Sequence, residues 1–231
     1  MPYRGVIFDL YGTLIDGWDT DQARQRTTEL ALALGAPLEP FQALMERSYT
    51  ERATAALGDL PQMLLELCRR VGHHPGPAAL DRAARLRVEQ FRAVLSQPRE
   101  ETPSILSTLR SRGLRVGVIS DSSSETPQLW PTLGWAAPVE LALFSWTERR
   151  RKPAPELYHK ALAGLSLRPD GALYVGDGGS HELSGAEACG VKALRIVHHP
   201  GNPEAHLQFD PDSVWQGAEI GTLTELLAWL D

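Results

Sequence analysis

Four short polar clusters in this chain combine the residue types needed for covalent chemistry at a carboxylate. The first is Asp9, within Phe8-Asp9-Leu10-Tyr11-Gly12-Thr13-Leu14. The second is Ser120 and Asp121, within Val118-Ile119-Ser120-Asp121-Ser122. The third is Lys152, within Arg151-Lys152-Pro153-Ala154-Pro155-Glu156. The fourth is Asp177, within Val175-Gly176-Asp177-Gly178-Gly179, with Glu182 five residues further on. A carboxylate can act as a nucleophile and form an acyl-phosphate or an ester. Several acids in one cleft repel one another and are pushed toward protonation; a lysine and a divalent cation keep them ionised. Mg²⁺ favours oxygen ligands and retains several waters, so two or three acids suffice to hold it. Ser120, Thr13 and nearby backbone N–H groups can hydrogen-bond a phosphoryl or carboxylate group. Taken singly, each cluster is ordinary: an Asp after a strand is usually a cap or turn former, and Lys-Pro is usually a surface turn. What joins them is that each follows a strand-like run.

The runs that position them are legible. Residues 3–10 form a short apolar segment with β-branched and aromatic residues, the pattern of a buried strand. From residue 19 to about 95 the pattern is helical instead. Leu30, Leu34, Leu44, Leu57, Leu64, Leu67 and Val71 recur at three- and four-residue steps. Five prolines, from Pro37 to Pro77, divide this region into about four helices. Alternation then resumes. Thr102-Pro103 reads as an N-cap followed by a first-turn proline, and Gly113 closes that helix. Residues 114–120 read as a strand, Thr126-Pro127 as a helix start and residues 141–145 as a short strand. A helix is expected over 155–165, a strand over 172–176, a helix over 181–189, a strand over 193–197 and a terminal helix over 222–230. Residues 198–209 read as a loop. Such alternation predicts an α/β fold: a doubly wound parallel sheet, Rossmann-like, with an inserted helical subdomain. Open parallel sheets bind ligands beyond the carboxyl ends of their strands, which is where all four clusters fall.

The chain has 231 residues, enough for one α/β domain with a smaller insert. Its net charge of −6 argues against a nucleic-acid partner, which a basic face would mark. The basic run Arg149, Arg150, Arg151 and Lys152 reads by itself as a solvated turn. Cys68 and Cys189 lie far apart in apolar helical patterns and are expected as buried free thiols, which suits a reducing cytoplasm. With no leader-like segment before the first strand and no run of about 20 apolar residues, a cytoplasmic protein with no membrane partner is expected. The pairs His73-His74 and His198-His199 lack the i, i+4 spacing of a helical metal site and read as solvated loops. His181 reads as loop decoration, and Trp18 either lines a pocket entrance or packs within the insert. The glycines of residues 176–179 lack the spacing of a dinucleotide-binding loop.

Taken together, the motifs resemble those of the haloacid dehalogenase-like superfamily. Asp9-x-x-Gly12-Thr13 matches its first motif, Ser120 the second, Lys152 the third, and Gly176-Asp177 with Glu182 the fourth. The resemblance spans nearly the whole chain, with residues 1–15 and 97–231 as the catalytic core and 16–96 as a helical cap. It implies that Asp9 is the nucleophile, that Thr13 and Ser120 hold the transferred group, and that Lys152 balances the charge of Asp9. It also implies that Asp9, Asp177 and Glu182 hold Mg²⁺ in the phosphatase branch. The phosphatases carry a second Asp two residues after the nucleophile, which protonates the leaving group and later activates water. Here that position is Tyr11, as in the 2-haloacid dehalogenases, and Tyr158 also matches the dehalogenase spacing. Arg47 aligns with the dehalogenases' cap arginine. Against this, Asp121 stands where those enzymes have asparagine, and Asp177 and Glu182 keep the acidic fourth motif that they lack. Three readings follow for a small-molecule substrate: Mg²⁺-assisted hydrolysis of a phosphate ester through an aspartyl-phosphate, metal-independent dehalogenation of a 2-haloacid, or a binding protein without turnover. The sequence leaves the oligomeric state open.

Overall fold

The computed structural model describes residues 3–197, 211–212 and 215–230. In chain order the elements are β1 (Gly5–Phe8), α1 (Thr20–Leu34), α2 (Leu38–Arg47), α3 (Tyr49–Ala53), α4 (Leu60–Arg70), α5 (Pro77–Leu95), α6 (Thr102–Ser111) and β2 (Arg115–Ser120). They continue with α7 (Glu125–Leu129), β3 (Leu141–Phe144), α8 (Ser145–Glu148), α9 (Pro155–Gly164), β4 (Ala172–Gly176), α10 (Glu182–Ala188), β5 (Lys192–Ile196), β6 (Ala218–Ile220) and α11 (Leu226–Leu230). The six strands form one sheet in the order β3-β2-β1-β4-β5-β6, parallel at every pairing. This is the doubly wound α/β fold read from the strand–helix alternation.

Both faces of the sheet are covered, and the strands show it residue by residue. Side chains alternate across a strand, so Val6 and Phe8, Val116 and Val118, and Leu173 and Val175 enter one apolar cluster. Their neighbours Ile7, Ile119 and Tyr174 enter a second cluster on the opposite face. Every residue of β1 and β4 is buried, which is why these strands read as continuous apolar runs rather than as alternating ones. Chain direction across the sheet reverses at β1: β2 and β3 lie on one side of it, β4 to β6 on the other. A crevice opens at such a switch point. Phe8 is in register with both Val118 and Val175, so the residues after β1, β2 and β4 leave the sheet along one edge.

The helices between β1 and β2 hold a third cluster of their own, which includes Leu30, Leu34, Phe41, Leu44, Leu64 and Leu67. Each such leucine stabilises by about 1.5–3 kcal/mol when fully buried. Helix α5 joins this cluster to the sheet, since Ala83 belongs to the third cluster while Phe91 and Leu95 belong to the first. Asp19 and Asp59 start α1 and α4 with full capping boxes to Gln22 and Gln62.

Several local expectations differ. The region holds five helices, because the backbone leaves helical geometry at Ser48 and splits α2 from α3. Glu101, not Thr102, precedes α6; the Thr102 hydroxyl donates instead to the Leu14 carbonyl at 2.8 Å, tying α6 to the loop after β1. The terminal helix begins only at Leu226, because the Glu101 carboxylate holds the backbone N–H groups of Leu223 and Thr224 in a turn before it. Strand β6 carried no sequence signal, being three residues at the sheet edge. Cys68 and Cys189 are free thiols, but only Cys68 is buried; Cys189 is half-buried. His73 is half-buried, with its Nε2 2.9 Å from the Leu34 carbonyl, while His74 is exposed. The stretch 198–209, with its histidine pair, lies outside the described residues. Among the described residues no helix is long and apolar enough to cross a membrane.

Candidate active site

Asp9 leaves β1 at the switch point, with its backbone N–H bonded to the Val175 carbonyl of β4 at 2.9 Å. Its carboxylate accepts from Lys152 Nζ through one oxygen and from Thr13 Oγ1, at 3.3 Å, through the other. Gly12 turns the chain between them in the left-handed region, at φ +82°. A Cβ there would stand 2.3 Å from Asp177 Oδ2, so only glycine lets the loops after β1 and β4 approach this closely.

Lys152 is the hub. Its ammonium donates to both Asp9 and Glu182. Glu182 is fully buried and otherwise accepts from the Tyr174 hydroxyl and the Gly178 N–H, each at 2.9 Å. Carboxylate oxygens of Asp9, Asp177 and Glu182 lie within 4.8 Å of one another. Burial, and then the charge of Glu182, push the Asp9 carboxyl up to about 7 against the pull of Lys152. Burial pushes Glu182 up to about 7 as well, again against Lys152, with Asp177 adding to the rise. For Lys152, burial works against the charge, but Asp9, Glu182 and Asp121 outweigh it and hold the ammonium well above its usual range. One ammonium thus faces more negative charge than it can balance, which is the electrostatic signature of a site for a further cation.

Asp121 does not face the cavity as a bare acid. It accepts the backbone N–H of Lys152 at 3.0 Å and Arg151 Nε at 3.2 Å, so it fixes the loop that carries the lysine. Arg151 also donates to Ser180 Oγ and Thr50 Oγ1, and its guanidinium lies 4.6 Å from the Tyr49 ring centre. Reading Arg151 as part of a solvated basic turn is therefore corrected. Ser120 is buried at the end of β2, and among the described residues its hydroxyl has no hydrogen-bond partner. Tyr11 turns away from Asp9, with its hydroxyl 2.8 Å from Thr126 Oγ1.

A cavity of about 310 Å³ lies between the sheet edge and α1, α2, α3 and α5; Thr13, Ser120 and Glu182 sit behind its wall rather than in it. Asp9, Tyr11, Asp121, Lys152 and Asp177 line it, as does Trp18, which packs edge-on against Phe91 at 4.7 Å. Arg47 does not line it: the side chain is exposed at the end of α2. The cavity instead receives Arg52 and Arg87, which sequence reasoning missed. For Arg87 a signal existed. Ala83, Arg87, Phe91 and Leu95 follow one another at four-residue steps along the buried face of α5, so Arg87 is an arginine at a core position. It pairs with the fully buried Glu125 of α7. For Arg52, on a five-residue helix, no periodicity marks the buried side. His181 stands half-exposed, 4.0 Å from Asp212, and outside the lining.

Residues 3–190 match the haloacid dehalogenase-like hydrolase family. The chain belongs to that family, and it is a hydrolase. Among curated relatives it is 28% identical over 201 residues to the phosphoglycolate phosphatase of Aquifex aeolicus, covering 84% of each chain. It is 24% identical over 197 residues to the glyceraldehyde 3-phosphate phosphatase of Methanopyrus kandleri, covering 84% of this chain and 83% of the other. Among solved structures, a 2-haloacid dehalogenase from Pseudomonas syringae aligns over 99% of this chain and 98% of that one, with a TM-score of 0.67 at 24% identity. A phosphatase of the family from Thermococcus onnurineus aligns over 98% and 97%, with a TM-score of 0.66 at 20% identity. At such identities the structural likeness is one of fold.

Proposed function

We propose that this hydrolase is a Mg²⁺-dependent phosphatase of small phosphate esters that works through an aspartyl-phosphate at Asp9. The observation that carries this reading is the cluster of Asp9, Asp177 and Glu182 around a single lysine. The donor set is all oxygen and fits Mg²⁺. Asp9 and Asp177 would hold the ion, with Glu182 beside them directly or through water. When bound, Mg²⁺ neutralises the phosphoryl oxygens and keeps Asp9 ionised. The Thr13 and Ser120 hydroxyls hold the phosphoryl group. Asp9 attacks phosphorus, the ester P–O bond breaks, and the alcohol leaves with a proton from solvent. Water then attacks phosphorus and restores the Asp9 carboxylate. Lys152 balances charge throughout, and Asp121 with Arg151 holds it in place.

Tyr11 supports a second reading, metal-independent dehalogenation of a 2-haloacid. A halide leaves without a proton, and the Tyr11 hydroxyl is committed to Thr126. In either reading residues 1–15 and 97–231 do the chemistry, and residues 16–96 form a cap that selects the substrate. Free cysteines suit a cytoplasmic setting. A panel of phosphate esters and 2-haloacids, each assayed with Mg²⁺ and with EDTA, separates the two readings. Turnover of esters only with Mg²⁺, together with a calorimetric Mg²⁺ signal lost in Asp177→Ala, supports the phosphatase. Turnover of haloacids in EDTA supports the dehalogenase.

A further inference from the structure

The cavity wall away from Asp9 carries a charge that the hydrolytic machinery does not use. Arg52 of α3 lines the cavity. Its Nε donates to Ser48 Oγ at 3.2 Å and one Nη to the Met45 carbonyl at 2.8 Å. Neither partner is charged, and among the described residues no carboxylate forms an ion pair with it. The acid at hand, Glu125, is consumed by Arg87, which also reaches Ser123 Oγ at 3.4 Å. Two guanidinium groups beside one carboxylate leave this cluster with one uncompensated positive charge. Burial and then the charge of Arg87 push the Arg52 guanidinium down to about 10, so the free protein holds this cation against an electrostatic cost.

The other acids of the lining are already committed or solvated. Asp9 faces Lys152, Asp121 faces Arg151, and Asp16 faces Arg99 at 2.7 Å; Asp177 accepts the Gly179 N–H at 3.0 Å and clusters with Asp9 and Glu182. Glu46 is exposed. Tyr11 spans the gap between the two ends of the cavity. Its backbone is two residues from Asp9, while its hydroxyl meets Thr126, the residue after Glu125. A substrate bridging the nucleophile and the arginine cluster therefore needs to be only about as long as a tyrosine side chain.

We propose that Arg52, with Arg87 behind it, forms a subsite for a second anionic group, so that the favoured substrates are compact phosphate monoesters bearing a carboxylate or a second phosphate. This rests on the phosphatase reading above. An oxyanion at Arg52 accepts the guanidinium N–H groups left over after Ser48 and Met45 and supplies the missing negative charge. A phosphate ester of the same length with a neutral group at that end leaves both needs unmet.

The test compares three esters: ethyl phosphate, 2-phosphoglycolate and ethylene glycol bisphosphate. The second adds a carboxylate and the third a second phosphate. In the wild type, kcat/KM for at least one ester bearing the second anionic group exceeds that for ethyl phosphate by about 10- to 100-fold, the range that hydrogen bonds to charged groups supply. Which of the two gains more identifies the group that the subsite prefers. Arg52→Met brings the ratio to within about threefold, and Arg52→Lys, which keeps the charge but not the planar fork, retains part of it. A melting curve confirms that each variant is folded, and Arg52→Lys serves if Arg52→Met is not. A wild-type ratio near one, or a ratio unchanged in the variants, overturns the subsite. No turnover of any ester contradicts the phosphatase reading instead. Calorimetric binding of the same three esters to Asp9→Asn, with and without Arg52→Met, then decides the subsite by the same ratios.

Discussion

Replacing Asp9 with asparagine separates the electrostatic cost of the site from its chemistry. Asp9 is 4% exposed, and its carboxyl is raised from 3.8 to about 7 by burial and by Glu182, despite Lys152. Folded Asp9 thus keeps a proton over a range in which the unfolded chain has lost it. The native state binds more protons there, so stability falls as pH rises from about 4 to about 7 and is level above that. The shift is about three units. At 1.36 kcal/mol per unit the cost reaches at most about 4 kcal/mol. Asparagine has no proton to lose and keeps an oxygen for Lys152. In EDTA, the stability of Asp9→Asn relative to wild type therefore rises by several kcal/mol between about pH 4.5 and 7.5, while turnover is abolished. Urea denaturation at a series of pH values, followed by tryptophan fluorescence, measures it. Saturating Mg²⁺ should reverse the difference by stabilising only the wild type. A relative stability that is flat or falling across that range refutes the reasoning, because the site would then hold its acids ionised without help.

Other substitutions test the remaining parts. Tyr11→Phe removes a hydroxyl that bonds Thr126 rather than Asp9, so it should change turnover by less than about threefold and cost about 1 kcal/mol of stability; a 10²-fold loss, on the scale of general acid–base help, would show that the hydroxyl acts on the substrate. Tyr11→Asp should raise steady-state phosphatase turnover by supplying a base for the second step, and should lower turnover if the substrate is a 2-haloacid. Gly12→Ala puts a methyl group 2.3 Å from the Asp177 carboxylate in a left-handed turn, so calorimetry should find Mg²⁺ binding weakened by about tenfold or more; unaltered affinity would remove Asp177 from the metal site. Arg87→Met strands the buried Glu125 charge and should cost about 3–5 kcal/mol at neutral pH, much of it restored by adding Glu125→Gln; denaturation of the single and double variants reads this directly.

The fold was legible where burial imposes a period. The strands β1, β2 and β4 are buried on both faces and read as apolar runs, and the leucines of the third cluster recur at helical steps. Asp9, Ser120, Lys152 and Asp177 were legible because a parallel sheet places its strand ends along one edge. Strand β6 was not, since a three-residue edge strand has no period to show. The cavity wall was the least legible. Arg47 and Arg52 are five residues apart in a polar stretch, and which of them turns inward depends on the break at Ser48 between α2 and α3, a tertiary choice that no local pattern encodes. The direction of the Tyr11 hydroxyl was equally hidden, because Thr126 lies 115 residues away. Asp121 read only as an acid where the dehalogenases have asparagine; that it anchors the lysine loop depends on its partners, Arg151 and the Lys152 backbone.

The central claim is that Asp9 carries a phosphoryl group, and the fate of one oxygen atom tests it. In an aspartyl-phosphate, water attacks phosphorus; in an ester left by carbon–halogen displacement, water attacks the Asp9 carbonyl carbon. Single turnover in ¹⁸O-labelled water, with enzyme in excess over 2-phosphoglycolate and Mg²⁺ present, should place the heavy oxygen in the released phosphate and leave the peptide containing Asp9 unlabelled. Heavy oxygen in the Asp9 carboxylate after a single turnover would contradict the account.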